Sequence, residues 1–133
     1  MADFTRAEVV AIAHKLEQAD LRGTNLGGAN LQGANLRGAN LGGANLQGAI
    51  LMDANVSMVG LQSANLPYAN LCGANLSQSH MTEVYLYRAD LTGADLSGAV
   101  LTGADLSEAK YDANTKWPEG FDPEEVGAVL VED

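Results

Sequence analysis

Apolar residues recur at every fifth position through most of the chain. From Leu21 to Tyr111 the spacing holds without insertion or deletion, which gives 19 units. A helix places apolar residues every 3.6 positions and a strand every two, so neither element explains a period of five. We call the recurring apolar residue the centre of its unit. Two positions before each centre lies a small residue, which is Ala in 15 of the 19 units. The pattern therefore predicts a repeat architecture.

Each unit is predicted to be a short extended segment followed by a corner. Residues two apart on an extended segment face the same side, so Ala and Leu point inward and the Asn or Asp between them points outward. The last two positions, such as Arg37-Gly38, supply the turn. One unit cannot bury its own Leu, so the coils must stack as a solenoid. The predicted core residues are Leu21, Leu26, Leu31, Leu36, Leu41, Leu46, Leu51, Leu61, Leu66, Leu71, Leu76, Met81, Leu86, Leu91, Leu96, Leu101, Leu106 and Tyr111.

The charged residues indicate how many units form one coil. Like charges that stack directly are unfavourable. In a 20-residue coil Asp90 stacks under Lys110, whereas in a 15-residue coil Asp90 stacks under Asp105. Four units per coil are therefore favoured, and the 19 units make about five coils.

The motif A-(N/D)-L-x-G, as in ANLQG, ANLRG and ADLTG, resembles the pentapeptide-repeat family. The resemblance implies an all-β solenoid, a right-handed quadrilateral β-helix with Leu and Ala in its core. The Leu centres and the segment TKWPEGFDP are similar to short members of the family from cyanobacteria. The repeat departs from the family pattern mainly at 50–68 and 78–88. The expected organisation is a capping helix, the repeat β-helix, and a C-terminal cap with an acidic tail, over residues 1–18, 19–113 and 114–133.

A solenoid needs a cover at each end, because unpaired strand edges invite aggregation. Near the N-terminus Thr5 and Glu8 fit a capping box. Phe4 precedes this box and Val9 follows it, and the two fit a hydrophobic staple. We expect a helix over 6–18 that lies on the first coil. The residues expected to cap this end are Phe4, Val9, Ile12 and Leu16.

Aromatic residues are expected to cover the other end. Trp117 and Phe121 flank a Pro-Glu-Gly turn, and Asp122-Pro123 predicts the start of a short helix. The apolar segment 128–131 either belongs to this cap or forms a surface for a second subunit. The resemblance implies that some relatives pair through their C-terminal ends, so a monomer and a C-terminal-end homodimer are both expected.

Composition limits the classes of function. The net charge of -10 and the pI of about 4.4 argue against a nucleic-acid-binding surface. No apolar run is long enough to span a bilayer, so no membrane partner is expected. The single cysteine, Cys72, excludes an internal disulfide and fits a reducing compartment. The first 18 residues lack the pattern of a signal peptide, and a cytoplasmic location is expected.

Candidate chemistry is scarce in this sequence. There is no metal-spaced Cys/His set, no phosphate-binding loop and no nucleophile elbow. A convex prism filled with Leu offers no cleft that would desolvate a catalytic carboxylate. The sequence therefore predicts no enzyme, no cofactor and no metal. The outward Asn residues are expected to form hydrogen-bonded ladders that also satisfy the corners.

Function is expected where the repeat becomes irregular. With 20-residue coils, Tyr87 lies over Pro67 and Arg88 over Tyr68 on one face, and exposed Tyr and Arg are enriched at binding hot spots. The alternative is a drifted repeat with self-stacking tyrosines. On the next face the outward residues at 50, 52 and 72 form either a small apolar contact site or neutral drift. The candidate partner-binding residues are Pro67, Tyr68, His80, Glu83, Tyr85, Tyr87 and Arg88.

Three functions are compatible with the pattern. The first is a non-enzymatic interaction or scaffold module that binds another, unidentified protein through one face of the rod. The second, implied by the resemblance, is a DNA mimic that inhibits DNA gyrase. The coils carry only eight acidic against four basic residues, whereas duplex DNA carries a charge every ~1.7 Å. The third is a purely structural or regulatory role.

Overall fold

Parallel pairing between successive coils defines the architecture. A computed structural model describes residues 5–132, so Phe4 of the predicted staple lies outside the described residues. The outward residue of each unit bridges to the residue 20 positions later, from Asp20 with Asn40 to Asp90 with Lys110. Four five-residue units produce this separation.

The backbone hydrogen bonds between coils follow one repeated scheme. The N–H of a central residue donates to a carbonyl in the next coil, as from Leu46 to Asn65 at 2.6 Å. The corner N–H does the same, as from Gly48 to Pro67 at 2.9 Å. The outward residue donates in the opposite direction, as from Asn65 back to Ala44 at 2.9 Å. Each unit therefore presents two N–H groups and one carbonyl towards the C-terminal end of the rod.

The interior holds the residues that the repeat places inward. All 18 predicted core residues are at most 9 % exposed. Ser79 replaces an inward Ala and is fully buried, and its hydroxyl donates to the carbonyl of Leu76 at 2.6 Å. A buried polar group with a partner costs little, so the core tolerates this substitution.

A short helix covers the first coil. Helix α1 spans Arg6–Ala11. The capping box is confirmed: the Glu8 N–H donates to the Thr5 hydroxyl, and the Thr5 N–H donates to the Glu8 carboxylate. Val9 of α1 is fully buried, and Ile12, just after the helix, is half-buried against the core, so these two residues anchor the cover of this end.

The prediction of a helix as far as Gln18 is wrong. Helix α1 gives way to a 3-10 helix at Ala13–Lys15, and the chain then enters the first coil. The N–H groups of Leu16 and Gln18 donate to coil carbonyls at 3.2 and 2.8 Å. Leu16 lies five positions before Leu21 and is only 1 % exposed, so the repeat starts one unit earlier than predicted.

One extra residue interrupts the register near the C-terminus. Asp95 pairs with Lys116, a separation of 21 residues. The extra residue is held in a tight turn, where the Asp112 N–H donates to the Thr115 hydroxyl at 3.0 Å. Lys116 therefore takes the outward position of a further unit. Trp117, the next residue, takes the position that Leu holds in the regular units.

An aromatic cluster closes part of this end. The ring of Trp117 packs edge-on against Tyr111 at 5.5 Å between centroids and stacks on Phe121 at 5.2 Å. Both Trp117 and Phe121 are half-buried against the core. The predicted short helix is a single 3-10 turn at Glu124–Val126, and the Asp122 carboxylate accepts from the Glu124 N–H at 3.0 Å.

The segment 128–131 returns to the rod. Strand β1 (Lys110–Tyr111) pairs in parallel with strand β2 (Val129–Leu130). The main chain of the segment therefore extends the rod, while the side chains of Val129 and Leu130 are 47 % and 45 % exposed. Pairing of two subunits through these side chains stays a prediction.

Gly48 tests the requirement for glycine at the corners. Its φ is +66°, and a Cβ there would meet nothing within 4 Å, so only backbone strain opposes a side chain. Gly48→Ala is expected to lower the free energy of unfolding by about 1 kcal/mol, measured by urea denaturation. The neighbouring Gln47→Ala is the control, since Gln47 is exposed and is not among the residues with positive φ. Equal stabilities of the two variants would contradict the assignment of strain.

Candidate protein-binding face

One column of corners carries three successive side chains at positions that favour glycine. Gly48 is followed in this column by Tyr68, Arg88 and Glu108, whose φ angles are +62°, +54° and +56°. Elsewhere in residues 5–132 no corner column holds more than two successive non-glycine residues at positive φ. Backbone strain of this kind costs about 1–3 kcal/mol per residue and is concentrated at functional sites.

The side chains of this column interact across coils. The rings of Tyr68 and Tyr87 meet edge-on, 5.8 Å apart and inclined by 88°. The Arg88 guanidinium lies 5.5 Å from the centre of the Tyr87 ring, and its Nη2 donates to Glu108 Oε1 at 3.0 Å. Arg88 follows Tyr68 in the corner column as predicted, but its charged group lies by Tyr87 and reaches into the next coil.

Electrostatic interactions link Arg88, Glu108 and Tyr87 in this cluster. The Arg88 guanidinium holds the pKa of the Glu108 carboxyl below its ordinary value. The Glu108 carboxylate in turn raises the pKa of the Tyr87 phenol. Tyr87 is therefore a neutral hydroxyl at physiological pH. We call the surface formed by Tyr68, Tyr85, Tyr87 and Arg88 the tyrosine face.

A concavity of about 410 Å³ borders the tyrosine face. Tyr68 and Arg88 form one side, and residues from the end of the rod form the other. Lys110 makes no ion pair within the described part of the chain, so its ammonium group is available to a partner. Sequence reasoning missed this concavity because β2 places distant side chains there. The lining residues are Tyr68, Arg88, Glu108, Lys110, Val129 and Val131.

Of the other predicted contact residues, Tyr85 belongs to the tyrosine face, whereas His80 and Glu83 lie nearby but stay separate. Tyr85 is 49 % exposed and bridges Asn65 and Asp105 on the same side of the rod. His80 and Glu83 are exposed at the adjoining corner. Within residues 5–132 neither forms a hydrogen bond or an ion pair with the tyrosines, so the cluster is smaller than the predicted set.

The outward Asn residues mainly stabilise the corners. The Asn25 side-chain oxygen accepts from the N–H two residues later at 3.1 Å, and Asn70 does the same at 3.0 Å. Asn65 cannot form this bond, because Pro67 has no N–H. Among the described residues only one Asn–Asn side-chain bond links coils, from Asn45 to Asn25 at 3.3 Å. The predicted ladder is therefore largely replaced by corner bonds.

The second candidate patch is less exposed. Ile50, Met52 and Cys72 are all half-buried. The Thr92 hydroxyl donates to the Asp90 carboxylate at 2.7 Å, and its oxygen lies 3.3 Å from Cys72 Sγ. This face therefore offers less accessible apolar surface than the tyrosine face.

Three ion pairs offset part of the acidic charge of the described residues. Arg22 forms two hydrogen bonds of 2.9 Å with the Asp20 carboxylate, and Arg37 lies 3.7 Å from Glu17. Arg88 and Glu108 form the third ion pair in the described residues. Among residues 5–132 the helices are too short to span a lipid bilayer.

Comparison with known proteins decides the family. A profile of pentapeptide repeats matches residues 15–58, 61–93 and 79–110, with eight copies. The chain belongs to the pentapeptide repeat family. Solved structures of pentapeptide repeat proteins are right-handed quadrilateral β-helices, the fold class that the resemblance implies. No curated protein sequence matches the chain.

Solved pentapeptide repeat proteins from photosynthetic organisms resemble this one. A protein from Nostoc Pcc 7120 is 34 % identical, with 96 % of each chain covered and a TM-score of 0.59. Rfr23 from the cyanobacterium Cyanothece 51142 is 37 % identical, with 77 % of this chain and 67 % of Rfr23 covered and a TM-score of 0.64. A protein of the Arabidopsis thaliana thylakoid lumen is 27 % identical, with 84 % and 72 % covered and a TM-score of 0.72.

Proposed function

We propose that this pentapeptide repeat protein is a non-enzymatic module that binds another protein through its tyrosine face. The observation that carries the proposal is the corner column at Tyr68, Arg88 and Glu108. In this column the corner residues of three successive coils adopt a conformation that favours glycine. Pentapeptide repeat proteins are generally structural or interaction modules and not enzymes. Because strained backbone is concentrated at functional sites, the strain in this column supports a role beyond scaffolding.

The chemistry of the face fits protein recognition. Tyr and Arg dominate binding hot spots, because each combines a large contact area with a hydrogen-bonding group. The contacts among Tyr68, Tyr87 and Arg88 hold these side chains in place before a partner arrives. Less conformational entropy is then lost on binding. The Lys110 ammonium beside them adds a charged contact.

The charges argue against a DNA mimic of gyrase. Asp20 and Glu108, two acidic residues of the coils, are paired with arginines. The first coils present mostly neutral Asn, Gln and Gly outward. Such a surface falls well short of the charge density of duplex DNA.

A cytoplasmic location stays a prediction.

Affinity capture from the native host's lysate tests the proposal. The wild-type protein is compared with a Tyr68→Ser/Tyr87→Ser variant, and both are checked for equal melting temperature. The matched control is Ile50→Ser/Met52→Ser, which alters the other candidate face. We expect a partner that is retained by the control and lost from the tyrosine variant, with an affinity at least about 30-fold weaker, as for loss of a 2 kcal/mol hot spot.

Each other outcome contradicts the proposal in a specific way. A partner lost only from the control variant would place binding on the face of Ile50 and Met52. A gyrase subunit that is captured equally by all three proteins would favour the DNA mimic. A partner retained by every variant would move the site to the C-terminal segment. No specific partner at all would favour a purely structural role.

A further inference from the structure

The last coil leaves part of its backbone unpaired. One coil earlier, the N–H groups of Met81 and Glu83 each donate to the following coil at 2.8 Å. The equivalent groups are those of Leu101 and Gly103. Within residues 5–132 these two N–H groups have no hydrogen-bond partner, and neither has the carbonyl of Ala99. We call these three groups the open edge.

Neighbouring parts of the same coil are closed by the C-terminal segment. The Leu96 N–H donates to the Lys116 carbonyl at 2.7 Å, and the Glu108 N–H donates to the Gly127 carbonyl at 2.8 Å. Between these points the chain leaves the course of the coil, since the extra residue shifts the register and Pro118 follows Trp117. The open edge thus lies in the part of the last coil, between Leu96 and Glu108, that the C-terminal segment does not pair.

A cleft separates the open edge from the cap. Its volume is about 340 Å³. On the side of the rod the cleft begins at Ala99, Leu101 and Thr102, and on the side of the cap it is bounded by Pro118 to Phe121. Thr102 and Gly103 are exposed, so an approaching chain can reach the backbone there.

An acidic residue lines the cleft, and the sequence around it is acidic. Glu119 lines it and is exposed. The sequence contains no Lys or Arg after Lys116, whereas Asp122, Glu124 and Glu125 follow within a few residues. A ligand at the open edge therefore gains from positive charge and is disfavoured if it is acidic.

We propose that the open edge binds an extended basic segment of a partner protein as an added parallel strand. Two carbonyls of the segment would accept from the N–H groups of Leu101 and Gly103, and one N–H would donate to the Ala99 carbonyl. This is the scheme by which each coil pairs with the next. Strand addition to a sheet edge takes its affinity from the main chain, and here Lys or Arg side chains near Glu119 add selectivity. The site is separate from the tyrosine face.

Amide hydrogen exchange with a defined probe tests this site. The probe is a blocked nonapeptide of alternating Lys and Val, added to the ¹⁵N-labelled full chain. In the protein alone, the amides of Leu101 and Gly103 should exchange at least tenfold faster than those of Met81 and Glu83, which serve as internal controls. At saturating peptide, exchange at Leu101 and Gly103 should slow at least tenfold.

Controls separate charge, backbone pairing and the tyrosine face. Glu119→Gln should weaken peptide binding about two- to fivefold, as expected for one exposed charge pair, and Asp53→Asn, on an earlier coil away from the cleft, should not. The Tyr68→Ser/Tyr87→Ser variant should bind the peptide normally. The proposal is overturned if Leu101 and Gly103 are already protected without peptide, if the peptide protects neither amide, or if a Glu-Val peptide binds equally well.

Discussion

Leu51→Ala is expected to lower the free energy of unfolding by about 2–5 kcal/mol. Leu51 is only 1 % exposed, and the 20-residue register places it between Leu31 and Leu71. Alanine would remove its contacts with both neighbours and leave a cavity in the middle of the rod. Hydrogen bonds on either side fix the spacing of the coils, so the cavity cannot collapse fully. The midpoint of urea denaturation measures the loss.

The adjacent residue provides the control for this experiment. Met52 faces outward and is half-buried, so Met52→Ala should cost less than about 1 kcal/mol. If both variants lost the same stability, Leu51 would not be a core residue and the assignment of inward and outward positions would be wrong.

Trp117→Ala should destabilise the C-terminal end by about 2–4 kcal/mol, somewhat less than the loss of a fully buried Trp. The indole ring contacts both Tyr111 and Phe121, so its removal disconnects the aromatic cluster from the last coil. The newly exposed apolar surface should also promote self-association. Urea denaturation measures the first effect and sedimentation velocity the second.

Trp117→Phe is the matched variant, because a phenyl ring keeps much of the stacking. It should retain most of the stability and remain in its wild-type oligomeric state. A Trp117→Ala protein as stable as wild type would mean that the aromatic cluster does not seal the rod. Greater association of both variants would assign the effect to the indole itself.

The five-residue period predicts the interior of this protein well. A single rule assigns every residue from Leu21 to Tyr111 to the inside, the outside or a corner, because all units share one backbone scheme. The capping box at Thr5 and Glu8 is equally local, since both of its hydrogen bonds lie within four residues. Features set by short-range geometry can therefore be predicted from the sequence.

Two kinds of feature could not be predicted: those where two local patterns compete for the same residue, and those where segments distant in the sequence meet. Leu16 fits both the apolar face of a helix and the five-residue register, and pairing with the next coil decides for the register. The extra residue before Lys116 has no signal in the sequence, because no further unit of the repeat motif follows it to reveal the shift in register. The concavity beside Tyr68 needs Val129 and Val131, which reach it only through the parallel pairing of β2 with β1.

The constant separation of 20 residues between paired coils has a consequence for synthesis of the chain. At about 5–20 residues per second, a ribosome supplies one further coil every ~1–4 s. Each coil needs only its predecessor as a template, so the rod is expected to lengthen while translation continues. Helix α1 precedes the coils in the chain, so it can cover the first coil as soon as that coil forms. The growing end exposes unpaired backbone groups throughout, and part of it is covered only when Trp117 and then β2 leave the ribosome.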